Sequence, residues 1–259
     1  MVSTLDGCRE KIKRAEEHRE VLDREVAAWL EAHPIPFRAE YDPQTGSHIA
    51  RITAVPQPVP TLRWGVIIGD VIHNLRSALD HLAWELAHWG GRTPSDPEGV
   101  KFPIADTLAT FGSGAAARAT KQMDPAHVAK VESLQPYHAQ SGPDRYTGTY
   151  IHPLAFVRDL SNADKHRLPT PILAVSQRFD FAIGAPPLNL SAFLGEGMLN
   201  TLEVGTSIMR LIARPEDKDV QAEGHMTPGI LLPESRGLDH LERARAFVEK
   251  VVSELETLM

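Results

Sequence analysis

The stretch TLRWGVIIGDVIHNLRSALDHLAWELAHWGG, residues 61 to 91, decides the fold, because its apolar side chains recur with the period of an α-helix. One arc of the helical wheel is apolar and consists of Ile68, Val71, Ile72, Leu75, Ala78, Leu79, Leu82, Ala83 and Leu86. Thr61 is a suitable N-cap, and Gly90 and Gly91 provide a C-terminal stop. The sequence therefore predicts a central helix from residue 61 to about residue 90, with one face buried.

The opposite arc of this helix is polar and consists of Asp70, His73, Asn74, Arg76, Ser77, Asp80, His81, Trp84, Glu85 and His88. A solvated helix face usually carries Lys and Glu at i,i+4 spacing, whereas this arc has no Lys. This choice of residues predicts a covered cleft in which Asp70 or Asp80 accepts hydrogen bonds from Arg or His. The alternative is a polar network that satisfies itself between packed helices and has no further role.

The rest of the chain shows further helical and strand patterns. Helices are expected near residues 4–32, 125–134, 153–166 and 236–258, and strands near residues 37–55 and 171–232. The first strand region reads as a β-hairpin with a turn at residues 42–46, and the second as either a separate sheet or an extension of that hairpin. Residues 111–118, FGSGAAAR, are expected to form a flexible segment that lacks the ending of a phosphate loop.

These elements predict an α+β fold class. We expect a single domain, residues 1–259, in which a helical bundle around the central helix packs beside an antiparallel sheet. The two terminal helices should join the bundle, because each has an apolar stripe that its neighbouring strands cannot cover.

Composition limits the possible functions. A formal net charge of -7 and a pI near 5.9 argue against nucleic-acid binding by bulk electrostatics, and leave a local basic patch as the way to hold RNA or a nucleotide. The single cysteine, Cys8, excludes an intramolecular disulfide and a Cys-based zinc cluster. The sequence has no apolar run of about 18 residues, so we expect no membrane span. A single cysteine fits a reducing compartment, and we expect a cytoplasmic protein. We expect no cofactor, and a homodimer is the assembly left open.

Arg76 and His81 bracket four residues in RSALDH. This spacing resembles the Arg-x4-His motif of HEPN-type ribonucleases, in which the family's His and Arg act together on the phosphodiester. The resemblance covers the central helix alone, and Ser77 follows the Arg where that family usually has Asn, Asp or His. It implies a metal-independent ribonuclease or nucleotide-processing protein with Arg76 and His81 at the catalytic centre.

A longer pattern joins GDVIHNLRSALDHLAWEL in the central helix to NADKHR at residues 162–167. This pairing is similar to that of a group of uncharacterised actinobacterial and phage proteins, which combine an "NLRSALDH" helix with a later "DKHR". The likeness covers more of the chain and brings no known function with it. It implies only that the two motifs belong together.

The chemistry of RNA cleavage gives these residues specific roles. Cleavage through the 2'-hydroxyl needs a general base, a general acid and a cation that stabilises the phosphorane. The catalytic candidates are Arg76, His81, His73 and His166. The candidates for binding the substrate are Asn74, Lys165 and Arg167. The candidates for orienting an imidazole are Asp70, Asp80 and Asp164. We therefore expect NADKHR to approach the helix between His73 and His81.

Two alternatives remain open. The first is a binding or assembly protein, associated with phage or defence, in which the polar helix face is structural. The second is a metal-dependent hydrolase that uses close pairs such as Asp70 with His73 or Glu85 with His88. We predict no metal site, because the spacing of His73 and His81, roughly 12 Å along the helix axis, is too wide for one ion.

Overall fold

The computed structural model of this protein describes residues 5–55, 58–139, 151–169, 171–183, 192–194, 203–211, 222–232 and 236–259. The fold is α+β, as the sequence predicts. The chain divides into two compact units. The helical unit comprises Met1–Leu22, Leu62–Thr170 and Arg236–Met259, and the sheet unit comprises Asp23–Thr61 and Pro171–Ser235.

The helices of the described residues are α1 (Asp6–Ala32), α2 (Thr61–His88), α3 (Leu108–Phe111), α4 (Gly114–Thr120), α5 (Pro125–Ser133), α6 (Pro153–Asp164) and α7 (Asp239–Glu256). Short 3-10 turns occupy Trp89–Gly91, Pro97–Gly99 and Pro136–His138. The prediction that residues 111–118 form a flexible segment is wrong, because helices occupy most of this region. Thr107 and Thr110 form a capping box that begins α3, and α4 follows directly.

Helix α2 is the predicted central helix and has 28 residues. All nine residues of its predicted apolar arc are buried, together with Trp64 and Ile67. Gly90 and Gly91 have φ angles of 68° and 78°, a left-handed conformation that ends the helix and that glycine adopts without steric cost. The pattern and the end signals therefore predicted this element correctly.

The terminal helices pack together in the helical unit. Leu22, Leu241 and Val248 are buried, as the bundle prediction requires. Ion pairs join the two helices on their outer sides: Arg9 Nη2 lies 2.5 Å from Glu256 Oε1, Arg19 Nε lies 3.1 Å from Glu242 Oε2, and Arg245 Nε lies 3.2 Å from Glu16 Oε2. None of the helices in the described part of the chain has the length and apolarity that a membrane crossing requires.

The sheet unit contains strands β1 (Ile35–Asp42), β2 (Ser47–Ile52), β3 (Ile172–Ile183), β4 (Ala192–Leu194), β5 (Ser207–Leu211) and β6 (Ala222–Leu232), and a two-residue strand, β7, covers Arg236–Gly237. The first six are antiparallel, in the order β3-β6-β1-β2-β5-β4. β1 and β2 form the predicted hairpin, and β6 and β5 flank it. The second strand region therefore extends the first hairpin.

The core of this sheet follows from the alternation of buried and more exposed residues along β1 and β2. Ile35, Phe37 and Ala39 are buried at every second position of β1, as expected for a sheet with one covered face. Ala50 and Ile52 extend the same cluster from β2, and Met226 joins it from β6.

Candidate functional site

Two glycines of α2 allow the segment that ends α6 to lie against the central helix. A Cβ atom on Gly69 would lie 2.6 Å from Asp164 Oδ1, and a Cβ atom on Gly65 would lie 3.1 Å from the Pro169 carbonyl oxygen. A side chain at position 69 would therefore displace the carboxylate. The NADKHR motif thus meets the central helix, with Asp164 in direct contact at Gly69, one turn before the stretch from His73 to His81 where the sequence predicts the approach.

A hydrogen-bonded clamp fixes the loop that follows the first 3-10 turns to the polar face of α2. Arg76 donates to both carboxylate oxygens of Asp80, from Nη2 at 2.6 Å and from Nε at 3.1 Å. Arg76 Nη2 also donates to the Phe102 carbonyl oxygen at 2.8 Å, and the Phe102 backbone N–H donates to Asp80 Oδ1 at 2.9 Å. The predicted hydrogen bond from an Arg to Asp80 is therefore confirmed. Both side chains also bind the backbone of the loop at Phe102.

A cleft of about 380 Å³ opens beside this clamp, between α2, the loop, α4 and α6. Its ionisable lining residues are His73, Arg76, Asp80, Lys101, Arg158 and Lys165. His73, Arg76 and Asp80 share one helix face, because spacings of three and four residues bring side chains to the same side of an α-helix. The volume lies in the range of pockets that bind small ligands.

The charge of this cleft is positive. Among the described residues, Asp80 is the only acidic one that lines the cleft, and Arg76 neutralises it. Arg158 is neutralised as well, since it contacts Asp106 at 2.7 Å and Asp159 at 2.8 Å. Lys165 Nζ donates to Asn162 Oδ1 at 3.4 Å. Among the described residues, neither Lys101 nor Lys165 has an ion-pair partner.

A second cluster of titratable groups adjoins the cleft where α6 crosses α2. Burial raises the pKa of the half-buried Asp164, and the nearby charge of Asp70 raises it further. His73 acts in the opposite direction and lowers the pKa of Asp164 by charge attraction. His73, whose charge acts on the pKa of Asp164, also lines the cleft.

Four of the seven predicted catalytic and binding residues lie outside the cleft: His81, His166, Arg167 and Asn74. His81 is exposed and lines a separate pocket of about 240 Å³ with Gly7, Cys8, Trp84 and Glu85. Five residues correspond to about 140° around an α-helix, so Arg76 and His81 point in different directions. His166 and Arg167 are exposed and are not among the residues that line the cleft.

The prediction that Asn74 lies on the polar arc of α2 is wrong. Its side chain is buried, and its amide nitrogen donates to the Asp70 carbonyl oxygen at 2.8 Å, within the same helix. The predicted cover of the polar face is correct in part: Arg76, Ser77, Asp80, Glu85 and His88 are half-buried. Asp70, His73, His81 and Trp84 are exposed.

Sequence reasoning missed Lys101 and Arg158. Lys101 lies in a loop rich in proline and glycine, and its position beside α2 depends on backbone hydrogen bonds of Phe102 that leave no trace in the sequence. Arg158 lies on the predicted helix α6, two turns before Lys165. The one signal in the sequence was the seven-residue spacing of Arg158 and Lys165, which places both side chains on the same face of the helix.

No group of three His, Cys, Asp or Glu side chains within the described ranges is arranged to hold a metal ion. Comparison of the chain with protein-family models, with curated proteins and with solved structures finds no match. The function proposed below therefore depends on the geometry of the cleft.

Proposed function

We propose that this protein binds the phosphate groups of a nucleotide or a short RNA in the cleft beside α2 and processes the phosphodiester without a metal ion. One observation carries the proposal. Lys101 and Lys165 line a cleft of small-ligand size without an ion-pair partner among the described residues, and Arg76 neutralises the only lining carboxylate. An anion entering the cleft therefore gains two lysine contacts and meets no unpaired lining carboxylate.

His73 is the imidazole that the cleft offers for proton transfer. It lies one helical turn before Arg76, whose guanidinium the clamp with Asp80 and Phe102 holds in one orientation. In this proposal the His73 imidazole takes the proton of the 2'-hydroxyl as its oxygen bonds to phosphorus, the P–O5' bond breaks, and water protonates the leaving 5'-oxygen. The cations of the cleft stabilise the negative charge that develops on the phosphate. The HEPN-like interpretation differs from this one, because it places His81 at the catalytic centre.

Binding is tested with a fluorescently labelled RNA of about six nucleotides and with a mononucleotide as competitor. Lys101→Glu and Lys165→Glu should each weaken binding at least tenfold, and salt should weaken binding of the wild type. Lys13→Glu, at an exposed position of α1, is the matched control and should bind like the wild type. Equal affinities for all four proteins would contradict the proposed cleft.

Cleavage is tested with the same RNA in the presence of a chelator. His73→Gln should abolish cleavage, whereas His81→Gln should leave it unchanged. The reverse result would favour the Arg-x4-His interpretation. Binding without cleavage by the wild type would favour a binding or assembly protein.

The clamp itself favours this second candidate function. Arg76 and Asp80 satisfy each other and the loop backbone, as a structural polar network does. In a protein of this kind, loss of Asp80 would reduce stability and leave RNA affinity unchanged.

A further inference from the structure

Two serine hydroxyls line the cleft, one from each of its long helices. Ser161 lies on α6 and is only 9% exposed. Ser77 lies on α2 and is half-buried. Neither hydroxyl forms a hydrogen bond with another of the described residues. Because buried polar groups usually have a hydrogen-bond partner, these two hydroxyls need an explanation.

The backbone of their own helices does not satisfy these hydroxyls. A serine within a helix commonly donates to a carbonyl oxygen three or four residues earlier. Ser133 on α5 does so, and its Oγ lies 2.7 Å from the Lys130 carbonyl oxygen. Within the described ranges, Ser77 and Ser161 make no such bond. Their hydroxyls are therefore available to a ligand in the cleft.

Each hydroxyl lies one helical turn from an ionisable residue of the cleft. Ser161 and Lys165 are four residues apart on α6, and Ser77 and His73 are four residues apart on α2. Side chains at this spacing share a helix face. The side of the cleft that α6 forms therefore combines a buried hydroxyl with a lysine that has no ion-pair partner in the described part of the chain.

We propose that Ser161 and Ser77 bind the phosphate group of the ligand by donating hydrogen bonds to its oxygens from α6 and α2. This inference rests on the proposed function, since it names further contacts to the phosphate of that site. A lysine ammonium is a point charge on a flexible stem, whereas a serine hydroxyl donates from a position close to the helix backbone. The lysines thus supply charge, and the serines fix where the phosphate oxygens lie.

Binding and melting of one variant separate this role from a structural one. Ser161→Ala should weaken binding of the labelled RNA about 10- to 100-fold, the size of a hydrogen bond to a charged group. Its Tm should stay the same or rise, because a buried hydroxyl without a partner costs stability. Ser133→Ala is the matched control and should bind like the wild type, since that hydroxyl bonds to its own helix. A lower Tm with unchanged affinity would overturn the proposal.

Salt dependence separates the serines from the lysines. Lysine contacts to phosphates release counterions, so the slope of affinity against salt grows with the number of these contacts. Lys165→Gln should therefore lower both the affinity and the slope. Ser161→Ala and Ser77→Ala should lower the affinity and keep the slope of the wild type. A changed slope in the serine variants would mean that a displaced lysine causes the loss, and would contradict direct contact.

Inorganic phosphate shows which part of the ligand the hydroxyls contact. Its dissociation constant, measured by NMR titration at constant ionic strength, should rise about tenfold or more in Ser161→Ala. Weaker RNA binding with an unchanged constant for phosphate would place the hydroxyl on the sugar or the base, and would overturn the proposal.

The two proposals fail in different ways. If the wild type binds neither RNA nor phosphate, the proposed function fails and this inference fails with it. If Lys165→Gln weakens binding and Ser161→Ala does not, the cleft remains a binding site and the role of the hydroxyls is overturned. Absence of cleavage by the wild type contradicts only the catalytic step, because binding tests the hydroxyls. Ser77→Ala tests the same kind of contact from α2 even where Ser161→Ala does not fold.

Discussion

The stability of this protein should fall steeply between pH 6.5 and pH 4, and His152 should account for a defined part of the loss. His152 caps the N-terminus of α6, the helix that forms one wall of the cleft: its Nδ1 accepts a hydrogen bond from the Leu154 backbone N–H at 3.2 Å. The ring is buried and contacts Phe247 edge to face, with centroids 4.8 Å apart. Burial lowers the pKa of His152 to about 4.

The sign and size of the effect follow from proton linkage. A histidine in the unfolded chain binds a proton near pH 6.5, whereas folded His152 stays neutral until the pH approaches 4. The unfolded state therefore binds more protons between these values, and stability that is present above pH 6.5 is lost as the pH falls. Integration gives a loss from this residue of about 2 kcal/mol at pH 5 and about 3 kcal/mol at pH 4.

The assay is urea denaturation at pH 7, 6, 5 and 4, with the wild type compared with His152→Asn. Asn can cap the helix and does not titrate, so the variant should lose about 2 kcal/mol less than the wild type between pH 7 and pH 5. It should be less stable than the wild type at pH 7, because the contact with Phe247 is lost. Parallel pH profiles of the two proteins would refute the assignment to His152.

Three further predictions concern single side chains. Asp80→Ala should lower the free energy of unfolding by about 1 to 3 kcal/mol in urea denaturation, because Arg76 and the Phe102 N–H both lose their carboxylate acceptor; an unchanged midpoint would contradict the clamp. Gly69→Ala should lower Tm in the wild type and raise it in an Asp164→Ala background, where the alanine no longer meets a carboxylate and helix propensity gains about 1 kcal/mol; the same sign in both backgrounds would contradict the contact. Cys8 is buried, and burial raises its pKa to about 11, so a thiol reagent at pH 7 should modify it only as the protein unfolds; reaction at the rate of the denatured chain would contradict this.

The parts of the fold that depend on local signals could be predicted from the sequence. The central helix has a 3.6-residue apolar period, a capping threonine and two glycines at its end, and each of these acts over a few residues. Helices α3 and α4 were missed because the capping box that begins α3 uses Thr110 at the position where Glu or Gln is the usual signature. The strand order of the sheet was also inaccessible, since it depends on pairing between distant segments.

The site could be predicted only in part for a similar reason. NADKHR contacts α2, but at Gly69 and not within the predicted stretch from His73 to His81. The choice among the histidines depended on which arc of the helix its neighbours cover. That choice depends on the Phe102 backbone, whose N–H and C=O fix the loop beside Arg76 and Asp80. Every residue except proline has both of these backbone groups, so no side-chain pattern distinguishes His73 from His81.

The division of the chain into two interleaved units has a consequence for synthesis on the ribosome. The helical unit needs α7, which begins at Asp239, and the sheet unit needs β6, which pairs Ile35 with Met226 across most of the chain. Neither unit can therefore reach its final packing until β6 and α7 have been made. Until then the edge of β1 that pairs with β6 stays uncovered, and such edges are sites of aggregation. Shortening the chain before Ala222 should therefore yield insoluble protein, where independent consecutive domains would yield a folded fragment.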